Sequence, residues 1–316
     1  MIFLKKDFQI NVNTKNNFKH IRNLLKNEQD TVCLIACAAN EKLYIKDWVE
    51  YYLNDVKVDR IVIIDNNFSD NEKLRTLLQP YKKVTVITKY RKKRINQSEV
   101  YSEMYKRFAR IYDWLMFLDV DEYLVMNNKK GLKDWLSNVD KKIDEIFVNW
   151  KIFDDNGLVK YDKRPVMKRF IRPFIEDKTP ESNPEYFKES RGNYYYIRDN
   201  FQVKSIVRGG IYDRYIRNYT HKFEFKNGYY VDNELKKVAL KEPNPYSLKR
   251  VNYTNCQINH YIQKTIEEYI DRAMARTMRS CKIYKDIDQI RHNFQRFNKW
   301  TDEKEKILQD KFKKKK

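Results

Sequence analysis

The sequence predicts an α/β protein, a mostly parallel sheet flanked by helices, with a helical extension at its C-terminal end. Three observations predict it. Short, nearly all-apolar runs alternate with amphipathic stretches between residues 31 and 118. The links between them are short, as in parallel sheets whose helices carry the chain back. From Thr265 onward the apolar spacing is helical again.

The elements follow in order. Residues 31–37 (TVCLIAC) read as a strand covered on both faces. Leu43, Ile45, Trp48, Val49, Tyr52 and Leu53 then fall at helical spacing. Residues 60–65 (RIVIID) form a second buried strand ending in Asp65. Residues 71–78 read as a helix, with Ser69 and Asp70 suited to cap it. Residues 84–88 (VTVIT) make a third strand, 97–112 an amphipathic helix, and 114–118 (WLMFL) a fourth strand running into Asp119. Residues 145–150 (EIFVNW) continue the strands, and 151–250 hold loops and short strands rich in aromatics. Ile266, Tyr269, Ile270 and Ala273 mark one face of a helix, and Thr265 with Glu268 forms a capping box at its start. Ligands of such sheets sit beyond the carboxyl ends of the strands, where Asn40, Asp65 and Asp119 converge.

Composition narrows the function. With 41% hydrophobic and 15% aromatic residues, the chain of 316 residues can bury a sizeable core. Only 6 glycines are present, and neither a dinucleotide fingerprint nor a phosphate loop is found. Lys and Arg exceed Asp and Glu by 65 − 44 = 21. That excess suits an anionic partner such as a nucleotide sugar, a phosphorylated lipid, an anionic membrane face or nucleic acid, or else a solvated basic surface. Cys33, Cys37, Cys256 and Cys281 lack metal or disulfide spacing and read as thiols in a reducing compartment. No apolar run is long enough for a leader or a membrane span, so a cytoplasmic protein is expected. The tail Lys313–Lys316 suits anionic lipid at the inner face of the cytoplasmic membrane, or simply frays.

Four constellations carry chemistry. Asp119 and Asp121, in Phe117-Leu118-Asp119-Val120-Asp121-Glu122-Tyr123, lie two apart after a buried strand. In an extended segment they share one side and repel unless a cation such as Mn²⁺ or Mg²⁺ sits between them. Such an ion would bridge the phosphates of a nucleotide donor. Asp65 and Asn66 follow the second strand, placed to meet a base or ribose. His260, in Asn259-His260-Tyr261, precedes a helix, and an imidazole would extend the two-carboxylate ligand set. Lys264 could meet a phosphate as a point charge. Lastly, Asp154 and Asp155 follow the fifth strand. An inverting sugar transfer needs one carboxylate to take the acceptor's proton, and either could serve, although Asp-Asn-Gly is also turn chemistry.

In this order the motifs resemble those of bacterial family 2 glycosyltransferases of the branch close to family 92, which have a GT-A fold. The resemblance spans residues 31–280. It runs through Asn40-Glu41, Asp65-Asn66, Ser69, Asp70, Gln97, the Asp119-Val120-Asp121 motif and Trp150 to Gly157. It closes with Lys204-Ser205-Ile206-Val207, His221 and Asn259-His260-Tyr261 through Tyr269. It implies inversion, a UDP-sugar donor, and Mn²⁺ or Mg²⁺ held by Asp119, Asp121 and His260. It implies donor contacts at Asn40, Glu41, Asp65, Asn66, Gln97, Asp119, Lys204 and Lys264, with Asp155 near the acceptor. Where many members carry a Lys before the Asn-Glu pair, this chain has Ala39.

The organisation expected is an N-terminal extension (1–30), a GT-A domain (31–260) and a C-terminal helical extension with a basic tail (261–316). The domain divides into a donor half at about 31–125 and an acceptor half at about 126–260. Galactose or glucose is the sugar expected, and a glycan or glycolipid such as lipopolysaccharide or capsule the acceptor. The alternative is a basic nucleic-acid-binding protein, for which residues 81–94 mix basic and aromatic side chains. That reading leaves the acids at 119–122 unexplained. A phosphatase whose nucleophile motif is also two acids two apart would need them after the first strand, not the fourth.

Overall fold

The computed structural model describes residues 30–67, 73–93, 95–174, 187–190, 193–196, 199–241, 244–280 and 287–313. Ser69, Asp70, Asn71, Arg94, Cys281, residues 1–29 and the tail at 314–316 lie outside the described residues.

The first strand shows why the chain folds as it does. β1 (Val32–Ala38) sends Val32, Leu34, Ala36 and Ala38 into one apolar cluster, and Cys33 and Ile35 into another. Alternate side chains of a strand face opposite sides, so a run apolar at every position needs a cover on both faces. α1 (Ile45–Asn54) supplies one with Trp48, Val49 and Tyr52. β2 (Arg60–Asp65), α2 (Leu74–Leu77) and β3 (Val84–Ile87) follow. α3 (Gln97–Phe108) supplies the other cover with Val100, Tyr101, Met104, Tyr105 and Phe108. Asn96 caps α3 by accepting from Ser98 N at 3.1 Å.

β4 (Trp114–Phe117) pairs in parallel with β1, and a turn leads into β5 (Glu122–Met126). After α4 (Leu132–Ser137) comes β6 (Glu145–Ile152), the longest strand. α5 (Val166–Arg169) and the hairpin of β7 (Phe187–Ser190) with β8 (Asn193–Tyr196) precede β9 (Val203–Arg208). β10 (Tyr215–Asn218) and β11 (Phe223–Phe225) form a second hairpin. β12 (Tyr230–Asp232) and β13 (Cys256–His260) both pair in parallel with β6.

The main sheet runs β3-β2-β1-β4-β9-β6-β13-β5, with β12 beside β6. β9 runs antiparallel between β4 and β6, and β5 antiparallel to β13, while the other pairings in this sheet are parallel. The expected mixed α/β architecture is therefore present. β9 leaves the sheet at Gly209, where an added Cβ would stand 1.8 Å from Tyr112 O. Only glycine lets the chain pass so close there.

The C-terminal extension is α6 (Ile266–Ser280), α7 (Ile287–Gln295) and α8 (Asp302–Lys313). Ile266, Ile270, Ala273, Ile290, Phe294 and Leu308 form its own apolar cluster. The capping box is present: Glu268 N donates to Thr265 Oγ1 at 3.2 Å and Thr265 N to Glu268 Oε2 at 3.2 Å.

Candidate active site

The ends of β1, β2 and β4 meet as the topology requires. Asn40 takes a left-handed backbone (φ 62°), and its N–H donates to Asn67 Oδ1 at 2.8 Å. Asp65, buried, accepts from Asn67 N at 3.0 Å and from Arg91 Nη1 at 3.1 Å. Both amide hydrogens of Asn66 are committed to the carbonyls of Tyr90 (2.8 Å) and Lys93 (2.9 Å). Asp65 and Asn66 thus shape the loop at 90–93.

The acidic motif departs from the extended segment expected. Glu122 N donates to Asp119 O at 3.0 Å, which makes residues 119–122 a turn rather than a strand. Asp119 and Asp121 each have a cationic partner. Lys204 on β9 places its ammonium 2.8 Å from Asp119 Oδ2 and 3.4 Å from Glu122 Oε2. Gln97 donates to Asp119 Oδ1 at 3.0 Å. Arg272 on α6 donates to Asp121 Oδ2 at 2.6 Å and to Ile262 O at 2.8 Å. Among the described residues, no group of three or more His, Cys, Asp or Glu side chains comes together to hold a metal ion. Of the expected trio of Asp119, Asp121 and His260, Asp119 is held by Lys204 and Gln97.

A narrower pair does fit a cation. Asp121 Oδ1 is buried without a hydrogen-bond partner and faces His260 Nε2 at 3.6 Å. That span is too long for a hydrogen bond and suits two ligands of one ion. His260 ends β13, opposite Glu122 on β5 and Ile152 on β6, and Tyr261 N donates to Asp121 O at 2.9 Å. The Trp150 ring lies 4.2 Å from His260 and 5.2 Å from His221.

The electrostatics follow from burial and neighbours. Burial pushes the Asp121 carboxyl up, but Arg272 and His260 together hold it well below the usual carboxylate range. For Glu122, burial prevails over Lys204 and drives the carboxyl well above its usual range. Burial lowers Lys204, yet Asp119 and Glu122 carry it above the ordinary lysine value. Burial and the Lys204 charge depress His221 to about 3.

Arg272, which holds Asp121, also lines a cavity of about 280 Å³ together with Asn40, Glu41, Leu43, Tyr44, Tyr161 and Lys264 among others. Lys264 is 4% exposed, has a left-handed backbone (φ 61°), and carries its ammonium 4.4 Å above the Tyr44 ring. Burial lowers its pKa against the pull of Asp121. Backbone strain on a non-glycine residue persists where the surroundings impose it, often at sites of function. Glu268, on the same wall, is held by Arg169 through two hydrogen bonds of 2.8 and 2.9 Å and by Tyr44 at 2.8 Å.

Asp154 and Asp155 do not line this cavity. Asp155 is 1% exposed, accepts from Gly157 N at 2.9 Å and is ion-paired with Lys304 of α8. Its own N–H donates to Asn298 Oδ1 at 2.6 Å. Asp154 accepts from Asn156 N at 2.8 Å and pairs with Arg172 at 2.5 Å. Asp155 and Asp154 are thus held by the turn and its anchors Lys304 and Arg172. Sequence reasoning missed Arg272, since an arginine inside an amphipathic helix gives no signal of a partner 151 residues away.

No protein-family model matches the chain, and no curated protein matches it. Among solved structures, S. aureus TarS 1-349 in complex with UDP-GlcNAc aligns at 16% identity and TM-score 0.29, over 41% of this chain and 37% of that one. The WbbM bifunctional glycosyltransferase aligns at 15% identity and TM-score 0.24, over 38% of this chain and 23% of that one. Mycobacterium tuberculosis glucosyl-3-phosphoglycerate synthase, in complex with Mn²⁺, UDP and glucosyl-3-phosphoglycerate, aligns at 15% identity and TM-score 0.26, over 42% of this chain and 48% of that one. The chain thus matches less than half the length of each.

Proposed function

We propose that this chain is a metal-dependent inverting glycosyltransferase that moves a hexose, galactose or glucose, from a UDP-sugar to a cell-surface glycan or glycolipid. The observation that carries the reading is the buried Oδ1 of Asp121, without a hydrogen-bond partner and facing His260 Nε2 at 3.6 Å, on a carboxylate held by Arg272, which lines a cavity with a buried ammonium. Asp121 and His260 would hold Mn²⁺ or Mg²⁺, which neutralises a diphosphate leaving group. Lys264, buried at the cavity wall, meets the diphosphate. Lys204 and Gln97 fix Asp119, whose side chain is 35% exposed and meets the donor. Asn40 and Glu41 line the cavity's strand side, and Asp65 with Asn66 sets the loop against which the base packs. The acceptor's proton goes to Asp155 or Asp154, as the resemblance implies, or to a carboxylate of the cavity wall, Glu41, Glu267 or Asp271. The UDP preference, the inversion and the acceptor class rest on the sequence resemblance. Among the described residues no helix is long and apolar enough to cross a membrane. Attachment to an anionic membrane face, where the acceptor would sit, is part of the proposal.

The nucleic-acid alternative loses part of its basic face. Lys89 and Tyr90 pair with Glu103, and Arg91 with Asp65, while Lys82, Lys83, Lys92 and Lys93 are exposed.

The test is UDP release from a panel of UDP-sugars with Mn²⁺, with and without EDTA, beside Asp121→Ala. Release from one donor, abolished by EDTA and by the substitution, is expected. Release that survives both would sink the reading, as would the lack of any release or binding across the panel.

A further inference from the structure

We propose that the outer face of α3, with the chain segments on its two flanks, is a docking surface for an anionic lipid bilayer. The assignment rests on the membrane attachment put forward above and needs no sugar transfer. α3 buries Val100, Tyr101, Met104, Tyr105 and Phe108. The helical repeat then turns Lys106 outward, with Arg110 just past the helix end, and both are exposed. Neither has an acidic partner among the described residues. On one flank lies the basic run, which the candidate site leaves largely unused. Lys89 and Tyr90 pair there with Glu103 of α3, and Lys92 and Lys93 are exposed. On the other flank residues 212–218 run antiparallel along the helix. Arg110 lies over the Tyr212 ring, Tyr215 Oη donates to Ser102 Oγ at 2.6 Å, and Asn218 Nδ2 donates to Ser98 O at 2.6 Å. This flank exposes two large apolar side chains, Tyr212 (38%) and Ile216 (53%), with Arg217 exposed beside the latter. Glu224 of β11 is paired with Arg217 and Lys241. Glu99, in the first turn of α3, and Asp213, beside Tyr212, are exposed acids of the same face.

The mixture of side chains selects the partner. At a bilayer interface, aromatic and aliphatic tips enter the headgroup layer while the cations around them meet anionic lipid. Single-stranded nucleic acid instead needs ring faces on which its bases can stack. Here a cation already lies over each ring: Lys89 4.8 Å from Tyr90, Lys106 5.4 Å from Tyr215, Arg110 4.5 Å from Tyr212 and Arg217 5.1 Å from Tyr219. Ile216 offers a base no surface for stacking.

The test is co-sedimentation of the full chain with vesicles of phosphatidylcholine, alone or with about 30% phosphatidylglycerol. The wild type should bind the mixed vesicles and leave the neutral ones. Lys106→Gln combined with Arg110→Gln should weaken binding by about tenfold or more, since each basic residue at such a surface contributes about fivefold. Ile216→Ser, which changes no charge, should weaken it several-fold with the salt dependence unchanged. These side chains are exposed, so the variants should keep the wild-type urea midpoint. A further variant with Lys313–Lys316 replaced by glutamine tests the basic tail. Binding that the tail variant abolishes and the face variants leave intact would overturn the proposal. So would equal binding to both kinds of vesicle, or binding to neither, and the transferase reading would then still stand on UDP release. A single-stranded oligonucleotide that binds more tightly than the mixed vesicles, and is insensitive to Ile216→Ser, would overturn it in favour of nucleic acid.

Discussion

His221 stands at the edge of the site with a shielded Nδ1 that has no hydrogen-bond partner. Its ring lies between Trp150 (5.2 Å) and Tyr246 (5.5 Å). Because burial and Lys204 depress its pKa to about 3, the folded protein refuses a proton that the unfolded chain accepts below about 6.5. Between those values the unfolded state binds more protons, so stability falls as pH drops from 6.5 toward 3. Urea unfolding at pH 7 and pH 4.5 should show the wild type losing more stability than His221→Gln. Equal losses would mean that the ring is protonated freely in the fold. At this scale the sequence was informative where chemistry is local. Asp121 and His260, singled out by their places after a buried strand and before a capped helix, do lie 3.6 Å apart. The answering charges were not legible, because Lys204 and Arg272 reach Asp119 and Asp121 across 85 and 151 residues.

The elements explain why Asp155 could not be assigned from sequence. Asp-Asn-Gly gives the same signal whether its first carboxylate faces a substrate or anchors a turn, and the anchor, Lys304, lies 149 residues on. Lys304 is 1% exposed, so α8 docks on the sheet domain through a buried ion pair. Removing one partner leaves the other charge buried and should cost about 3–5 kcal/mol. Lys304→Ala and Asp155→Asn should therefore destabilise to a similar degree in urea unfolding. A variant Asp155→Asn that keeps its stability but loses sugar transfer would identify Asp155 as the base. Gly209 makes a second test. Its Cβ-free corner lets β9 lie against β4 and so delivers Lys204 to Asp119. Gly209→Ala should cost about 3 kcal/mol through overpacking against Tyr112 O, read as a lower urea midpoint. A change under about 0.5 kcal/mol would show that the corner opens freely.

For the molecule as a whole, the alternation of apolar and amphipathic runs was enough to foresee β1 to β4 with their covering helices. It could not show that β9 and β13 complete the same sheet, since their neighbours are fixed by crossovers and not by local pattern. The site is consequently assembled from α3, the β4–β5 turn, β9, β13 and α6. A ligand bound across so many elements should stabilise all of them together. At a hundredfold excess over its dissociation constant it adds about 2.7 kcal/mol. UDP with Mn²⁺ should accordingly raise the thermal midpoint by several degrees, and UDP with EDTA by much less. Equal shifts in the two conditions would argue against a cation in the donor site.

The antiparallel wedge of β9 also sets a timetable for the nascent chain. A ribosome adding roughly 5–20 residues per second delivers Lys204 on the order of ten seconds after Asp119. Until then the edge of β4 has no partner on that side, and Asp119 and Glu122 have no ammonium beside them. The first 150 residues are thus poorly suited to mature alone on leaving the exit tunnel, and the growing polypeptide needs shelter for that interval. A gene cut between β6 and β9 would yield two pieces that must find each other before either is sound.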